Sequence, residues 1–251
     1  PPGAHQAMGL TDLYMVVGFL MAAYAVVAND SIQTLGTFIA SNAKRPWWQL
    51  WAYAVSILMA VLLYGWWAHD GDPAYGRLES FPPPAGGLSL IHVAAPFTLL
   101  FLTRFGIPVS TTFLVLTVFA PKNIESMLTK SLVGYAVAFV LALVVFRFVV
   151  ARVNEHFRST EEQPPSNAWV VLQWASTGFL WSQWLVQDLA NIFIFLPRQV
   201  ELSWLIGAIV ALLVMQGVTF YQQGGRIQQI VTSKTSTTDI RAATIIDFIY
   251  G

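Results

Sequence analysis

Long apolar runs separated by short polar punctuation dominate this chain. The first extends from about Leu13 to Ala40 and is interrupted by Asn29-Asp30-Ser31. Between Asp12 and Lys44 a continuous helix would measure about 48 Å, against a bilayer hydrocarbon core of about 30 Å. A broken or strongly tilted helix with its polar break inside the membrane is expected. The next run is bracketed by Trp47-Trp48 and Trp66-Trp67. Aromatic pairs about 20 residues apart match the two belts of a spanning helix, which predicts a helix over Trp47–Trp67. A polar loop follows over His69–Gly87.

Two shorter apolar arms come next, Leu88–Leu102 and Pro108–Ala120, about 22 and about 20 Å long as helices. Each is marginal for crossing, and Gly106-Ile107-Pro108 lies between them, so the pair predicts a re-entrant helical hairpin. Irregular backbone is tolerated at membrane depth where it is packed in protein or lines a cavity. Ser131–Val150 reads as a plain span and residues 151–167 as a charged linker. Trp169–Leu196 is apolar but interrupted at Gln187-Asp188, and so reads as a second broken helix. Leu202–Thr219 is another span, and residues 220–241 are polar. The final run, Ile245 to Tyr250, has the pattern of a further helix. Without an initiator Met, and with that run at its end, the sequence is expected to be incomplete at both ends.

Composition narrows the class. Of 251 residues, 56% are hydrophobic and only 10% charged, with 13 basic and 13 acidic side chains. A soluble domain carries about 25% charged residues. Zero net charge provides no electrostatic footprint for nucleic acid, and high hydrophobicity excludes disorder. An all-α polytopic membrane protein remains. Cysteine is absent, and the four histidines show no metal-ligand spacing. If the Lys44-Arg45 loop is cytoplasmic, alternate crossings place Arg152, Arg158, Arg226, Lys234 and Arg241 there too. The opposite side receives Arg77, Lys122, Lys130 and Arg198, in the direction of the positive-inside rule. On either orientation the two broken helices enter the membrane from opposite sides, as in an inverted repeat. The expected organisation is a first repeat over residues 1–150, the linker 151–167, and a second repeat over 168–251 that is incomplete.

Three constellations carry candidate chemistry. In Asn29-Asp30-Ser31-Ile32-Gln33, an ionised carboxylate inside hydrocarbon costs several kcal/mol unless paired or hydrated, and such residues face an interior path. Oxygen-bearing side chains at a helix break suit Na+, a hard cation; the plain alternative is a polar helix end at the interface. Gln187-Asp188-Leu189-Ala190-Asn191 repeats the acid-plus-amide pattern, with a helix-packing contact as its alternative. In Pro108-Val109-Ser110-Thr111-Thr112, Pro suits the first helical turn, and backbone N–H groups would join three hydroxyls at a helix N-terminus, a ready anion site. An ordinary cap would use one of those hydroxyls. Arg104, beside the tip, would supply charge to an anion, pair with Asp30 or Asp188, or reach toward water. Asp247, in the terminal run, reads equally as a helix-end residue or a functional one.

These residues resemble the inorganic phosphate transporter family of cation-coupled symporters. That family carries a duplicated Gly-Ala-Asn-Asp-Val-Ala-Asn-like signature and a Pro-Val-Ser-Thr-Thr hairpin motif in each inverted half. Asn29-Asp30 matches the Asn-Asp, with Gln33 at the second amide and Gly36-Thr37 at the following Gly-Thr. Pro108 to Thr112 matches the hairpin motif outright. Asp188, Ala190 and Asn191 match the second signature, with Gln187 in place of its first Asn. Phe113 departs from the polar residue, often His, that many members carry. No second Pro-Val-Ser-Thr-Thr follows Thr219, and the expected place for one is sequence beyond Gly251.

The resemblance implies a secondary transporter, not an enzyme. Inorganic phosphate would be held by Ser110, Thr111, Thr112, Gln33 and Arg104. Cations would be held by Asn29, Asp30, Asp188 and Asn191, with Na+ at Asp30 and Asp188. No cofactor is expected beyond Na+ as coupling ion, with H+ the other candidate. The implied setting is a multi-pass protein of the plasma (inner) membrane bilayer, with no nucleic-acid partner and with a homodimer left open. Sulfate or another oxyanion is the close alternative substrate. An intramembrane lipid-phosphate phosphatase is the alternative of a different class.

Overall fold

A computed structural model of the chain describes residues 9–105, 107, 109–145, 147–148, 153, 157, 159–160, 165–235 and 239–250. Among these, the regular structure is entirely helical: α1 Leu10–Ala25, α2 Ser31–Ser41, α3 Trp47–Ala68, α4 Leu90–Arg104, α5 Thr111–Phe119, α6 Ile124–Val145, α7 Asn167–Phe193, α8 Leu202–Tyr221, α9 Gly225–Thr235 and α10 Ile240–Tyr250. Four helical stretches are long and apolar enough to cross a membrane: Leu10–Ser41, Trp47–Ala68, Pro121–Val145 and Leu202–Tyr221. The Trp-bracketed span is found as expected, one residue longer than its bounding tryptophans.

Two expectations are corrected. The first helix does not break at Asn29-Asp30. A π-helical segment, Val26–Asp30, joins α1 to α2, and the Ser31 N–H reaches back to the Val26 carbonyl. A π turn absorbs the irregularity without ending the helix, and such turns recur at functional sites. Nor does α7 break at Gln187-Asp188; it runs unbroken to Phe193. Its polar residues need no break because they share the buried face with Leu180, Trp181 and Leu185. Smaller differences concern boundaries. The span read at Ser131–Val150 starts earlier, at Ile124. The polar stretch 220–241 contains α9, which packs on α2. Gly106 and Pro108 of the hairpin tip, most of the 151–167 linker and residues 236–238 lie outside the described residues.

Helix α7 is the mast of the fold, packing against α1, α2, α3, α5, α10 and the π segment. It runs antiparallel to the first helix. Near its start Gln173 meets Asn42 at the end of α2, and near its end Phe193 stacks on Phe19 of α1 at 5.9 Å. Helices α4 and α5 pair as a hairpin whose open ends lie together. His92 stacks on Phe119 at 4.9 Å, and Asn123 donates to the Ser80 carbonyl at 3.0 Å.

The loop between α3 and α4 is a folded strap. Asp72 accepts from the N–H groups of Ala74 and Gly76 at 2.8 Å each. Val200 N–H donates to the Gly71 carbonyl and Trp66 Nε1 to the Val200 carbonyl. Arg198 Nη2 donates to the Phe81 carbonyl at 2.6 Å. Burial pushes the Arg198 guanidinium below its usual range, opposed by the Asp72 charge.

At the other end, Gly224 holds the left-handed backbone of the turn into α9. A Cβ there would stand 3.1 Å from Ile32 of α2. Gln228 of α9 donates to the Gly36 carbonyl at 2.9 Å, and a Cβ at Gly36 would fall 2.5 Å from Val231. These close approaches explain why a polar segment becomes a helix here. Helix α6 buries no residue at all, and Leu132, Val137, Phe139 and Leu143 are exposed on several of its faces. A helix apolar all round and touching the core only near its start, through Met127, suits lipid as its solvent.

Candidate functional site

The site forms where the π segment, the start of α5 and the last third of α7 meet. The π segment places Asn29 and Asp30 at the inner wall. Asn29 Nδ2 donates to Asp30 Oδ1 at 2.5 Å and, at a long 3.5 Å, to the Val109 carbonyl of the hairpin. Gln33, one turn on and exposed, donates to Asn29 Oδ1 at 2.9 Å. Asn29 is thus a positioning group whose oxygen is already engaged.

The arm expected over Pro108–Ala120 is helical over Thr111–Phe119 and opens on an ordinary one-hydroxyl cap. Ser110 is its N-cap and accepts from the Phe113 N–H at 3.3 Å. The next two hydroxyls face the protein. Thr111 is buried with its hydroxyl beside the Asp30 carboxyl, yet Oγ1 makes no hydrogen bond of proper geometry. Thr112 Oγ1 accepts from Gln187 Nε2 at 3.2 Å and from Asn191 Nδ2 at 3.1 Å. The amides of α7 therefore dock the hairpin helix. Thr112→Val keeps the shape and leaves two amide donors without an acceptor, a cost of about 1–3 kcal/mol. A lowered thermal midpoint in detergent is expected, with Thr112→Ser restoring it.

Asp188 is 2% exposed and Asn191 1% exposed. Asp188 Oδ2, Asn191 Oδ1 and Thr111 Oγ1 have no hydrogen-bond partner. Asp188 is close enough to Asp30 for their charges to interact, and to Arg77 of the strap as well. The arrangement is two acidic side chains in protein interior, one with an unpaired oxygen of its own, and two more unpaired oxygens from Thr111 and Asn191. A buried oxygen without a donor calls for one. Hard oxygen donors of this kind fit a monovalent cation such as Na+. Among the described residues, no three His, Cys, Asp or Glu side chains converge on one point.

Of the nine predicted site residues, Asn29, Asp30, Gln33, Thr111, Thr112, Asp188 and Asn191 lie in one neighbourhood, with Ser110 at its edge as the cap. Arg104 ends α4, exposed, on the last turn where a cation complements the helix dipole. Sequence reading missed two participants. Arg77 lies in a polar loop, and nothing in its local sequence ties it to Asp188. Gln216 lies on α8, which packs on the π segment; it is 1% exposed and both its amide atoms lack partners. The available signal was a lone amide well inside an otherwise apolar span.

No family model, curated protein or solved structure matches the chain.

Proposed function

We propose that this is a multi-pass, cation-coupled oxyanion transporter of the plasma (inner) membrane that carries inorganic phosphate together with Na+. The observation that carries the reading is the pair Asp30 and Asp188, brought together in the protein interior with Asp188 Oδ2, Asn191 Oδ1 and Thr111 Oγ1 unpaired beside them. In this reading Na+ is cargo that balances the carboxylates, which lowers the cost of admitting an anion next to them. The anion lies at the N-terminus of α5, where first-turn backbone N–H groups and the exposed Ser110 face it, as helix N-termini receive phosphate elsewhere. Gln33, exposed and bonded to Asn29, stands at the rim.

The antiparallel relation of the two acid-bearing helices supports an inverted-repeat architecture. The paired open ends of α4 and α5 support a re-entrant hairpin. The Pro108 to Thr112 motif and its likeness to the inorganic phosphate transporter family supply the substrate.

The test is radiolabelled phosphate uptake into proteoliposomes, with and without an inward Na+ gradient and with sulfate as competitor. Na+-dependent phosphate uptake, lost in Asp30→Asn and weakened in Ser110→Ala, is expected. Folded protein that takes up sulfate but no phosphate would change the substrate. Folded protein that takes up neither would sink the reading.

A further inference from the structure

Asp247 is a further buried carboxylate that the site above does not use. It is fully buried on α10, where that helix packs on α2 and α7. Thr37 of α2 donates to its Oδ1 at 2.7 Å, and Thr177 of α7 donates to its Oδ2. No cation faces it. The helices packed against α10 bring hydroxyls and amides at this level. Asp30 lies about 10 Å along α2 from Thr37, and Asp188 about 16 Å along α7 from Thr177. Tyr53 of α3 is close enough to feel the charge on Asp247, and its hydroxyl donates to the Trp174 carbonyl. Arg241, on the first turn of α10, is held by Asp239 at 2.7 Å.

Two features set this site apart from the one at Asp188. Each carboxylate oxygen of Asp247 accepts from a threonine hydroxyl, whereas Asp188 Oδ2 has no partner. A hydroxyl can also donate to a carboxylate or accept from a carboxylic acid. Partners of this kind serve both protonation states, as Lys or Arg would not.

A polar seam leads outward from this point between α2 and α7. One turn beyond Thr37 and Thr177 stand Ser41 and Gln173, where Gln173 Nε2 donates to Ser41 Oγ at 2.5 Å. Asn42 follows, donating to Gln173 Oε1 at 2.8 Å. Exposed Arg45 closes the seam, its Nε donating to Asn42 Oδ1 at 3.1 Å.

We propose that Asp247 is a proton-binding site, separate from the Asp30/Asp188 cation site and reached from the Lys44-Arg45 surface along the Thr37–Ser41–Asn42 and Thr177–Gln173 seam. Proton binding at this carboxyl joins α10 to α2 and α7 in either state and adds a pH-responsive element to the transport cycle. The link to transport rests on the function proposed above; the site itself does not.

The test begins with infrared difference spectra of the purified protein in lipid between about pH 5 and about pH 8, with neither Na+ nor phosphate present. A carboxylic-acid carbonyl band is expected that disappears in Asp247→Asn and remains in Asp30→Asn. In proteoliposomes, phosphate uptake is expected to follow the pH on the Lys44-Arg45 side, by about threefold per pH unit near the midpoint and up to about tenfold beyond it, where the active form is the minority. That slope should vanish in Asp247→Asn, which holds the neutral form. Gln173→Leu should slow the response of the band to a pH jump. If Asp247→Asn does not fold, Thr37→Val and Thr177→Val must each move the titration midpoint of the band.

Spectra that lack any band assignable to Asp247, or a pH slope that persists in Asp247→Asn, overturn the proposal. A titrating Asp247 band in a protein that transports nothing keeps the proton site and removes the transporter reading. Na+-dependent uptake without that band does the reverse.

Discussion

Asp188→Asn is expected to weaken Na+ binding by about a hundredfold or more and to abolish Na+-driven phosphate uptake. Asp188 is 2% exposed, interacts with Asp30, and leaves Oδ2 unpaired. With a cation in place, its carboxylate is one partner of a buried charge pair. Removing one partner of such a pair costs about 3–5 kcal/mol, which is the stated loss of affinity or more. The same substitution should have the opposite effect on the Na+-free protein. There the amide relieves the interaction with Asp30 and the burial of an unsatisfied charge, a gain of about 1–3 kcal/mol. The measurement is thermal unfolding in detergent across a Na+ series. Wild-type protein should gain stability steeply with Na+, while the variant starts higher and stays flat. A variant that starts lower, or that still responds to Na+ at wild-type concentrations, would remove Asp188 from the cation site.

Trp181→Ala is expected to give the largest loss of stability, about 3–5 kcal/mol, the scale for truncating a buried Trp. Trp181 is the largest fully buried side chain. It lies midway along α7, and its Nε1 donates to the Ala54 carbonyl of α3 at 3.1 Å. Its loss opens a cavity at the join of the central helix and its neighbour and removes the bond to α3. Denaturant or thermal unfolding in detergent reads the loss, and Trp181→Phe should recover most of it. Trp181 lies about 10 Å along the helix from Asp188, so the Na+ midpoint of the folded fraction should stay near wild type. A shifted midpoint would mean that packing and cation binding are coupled through α7.

Much of the candidate site was legible because its signals are local. An acid beside amides in a long apolar run, and three hydroxyls after a Pro, stand out without any fold. Gln33, Asn29 and Asp30 then meet because helical spacing places them together. Ser110 caps α5 because the first turn of a helix needs an acceptor for its N–H groups. Arg77 and Gln216 were not legible. Their part depends on how a loop folds and on which face of α8 turns inward, and no local pattern carries either fact.

The two predicted helix breaks show the limit from the other direction. Polar residues in an apolar run signal that something must satisfy them. A break is one solution; a π turn at Val26–Asp30 and a polar buried face on α7 are others. The choice depends on neighbours, since a helix can stay whole when the adjacent helix offers Thr112 to its amides. Asp247 makes the same point. In sequence it is one acid in an apolar terminal run, while in the fold Thr37 and Thr177, distant in the chain, close on its two oxygens.

The sequence by itself determined the helical class, the Trp-bracketed span and the residues with chemistry to offer, because hydrophobic run length, helical period and side-chain type act over a few turns. Tertiary structure alone decided that the helices run on through their polar residues, that α9 folds back onto α2, and that the carboxylates divide into an Asp30/Asp188 site and a separate Asp247 site. Those outcomes follow from which buried polar groups find partners on other helices, and such partners lie dozens to hundreds of residues away along the chain.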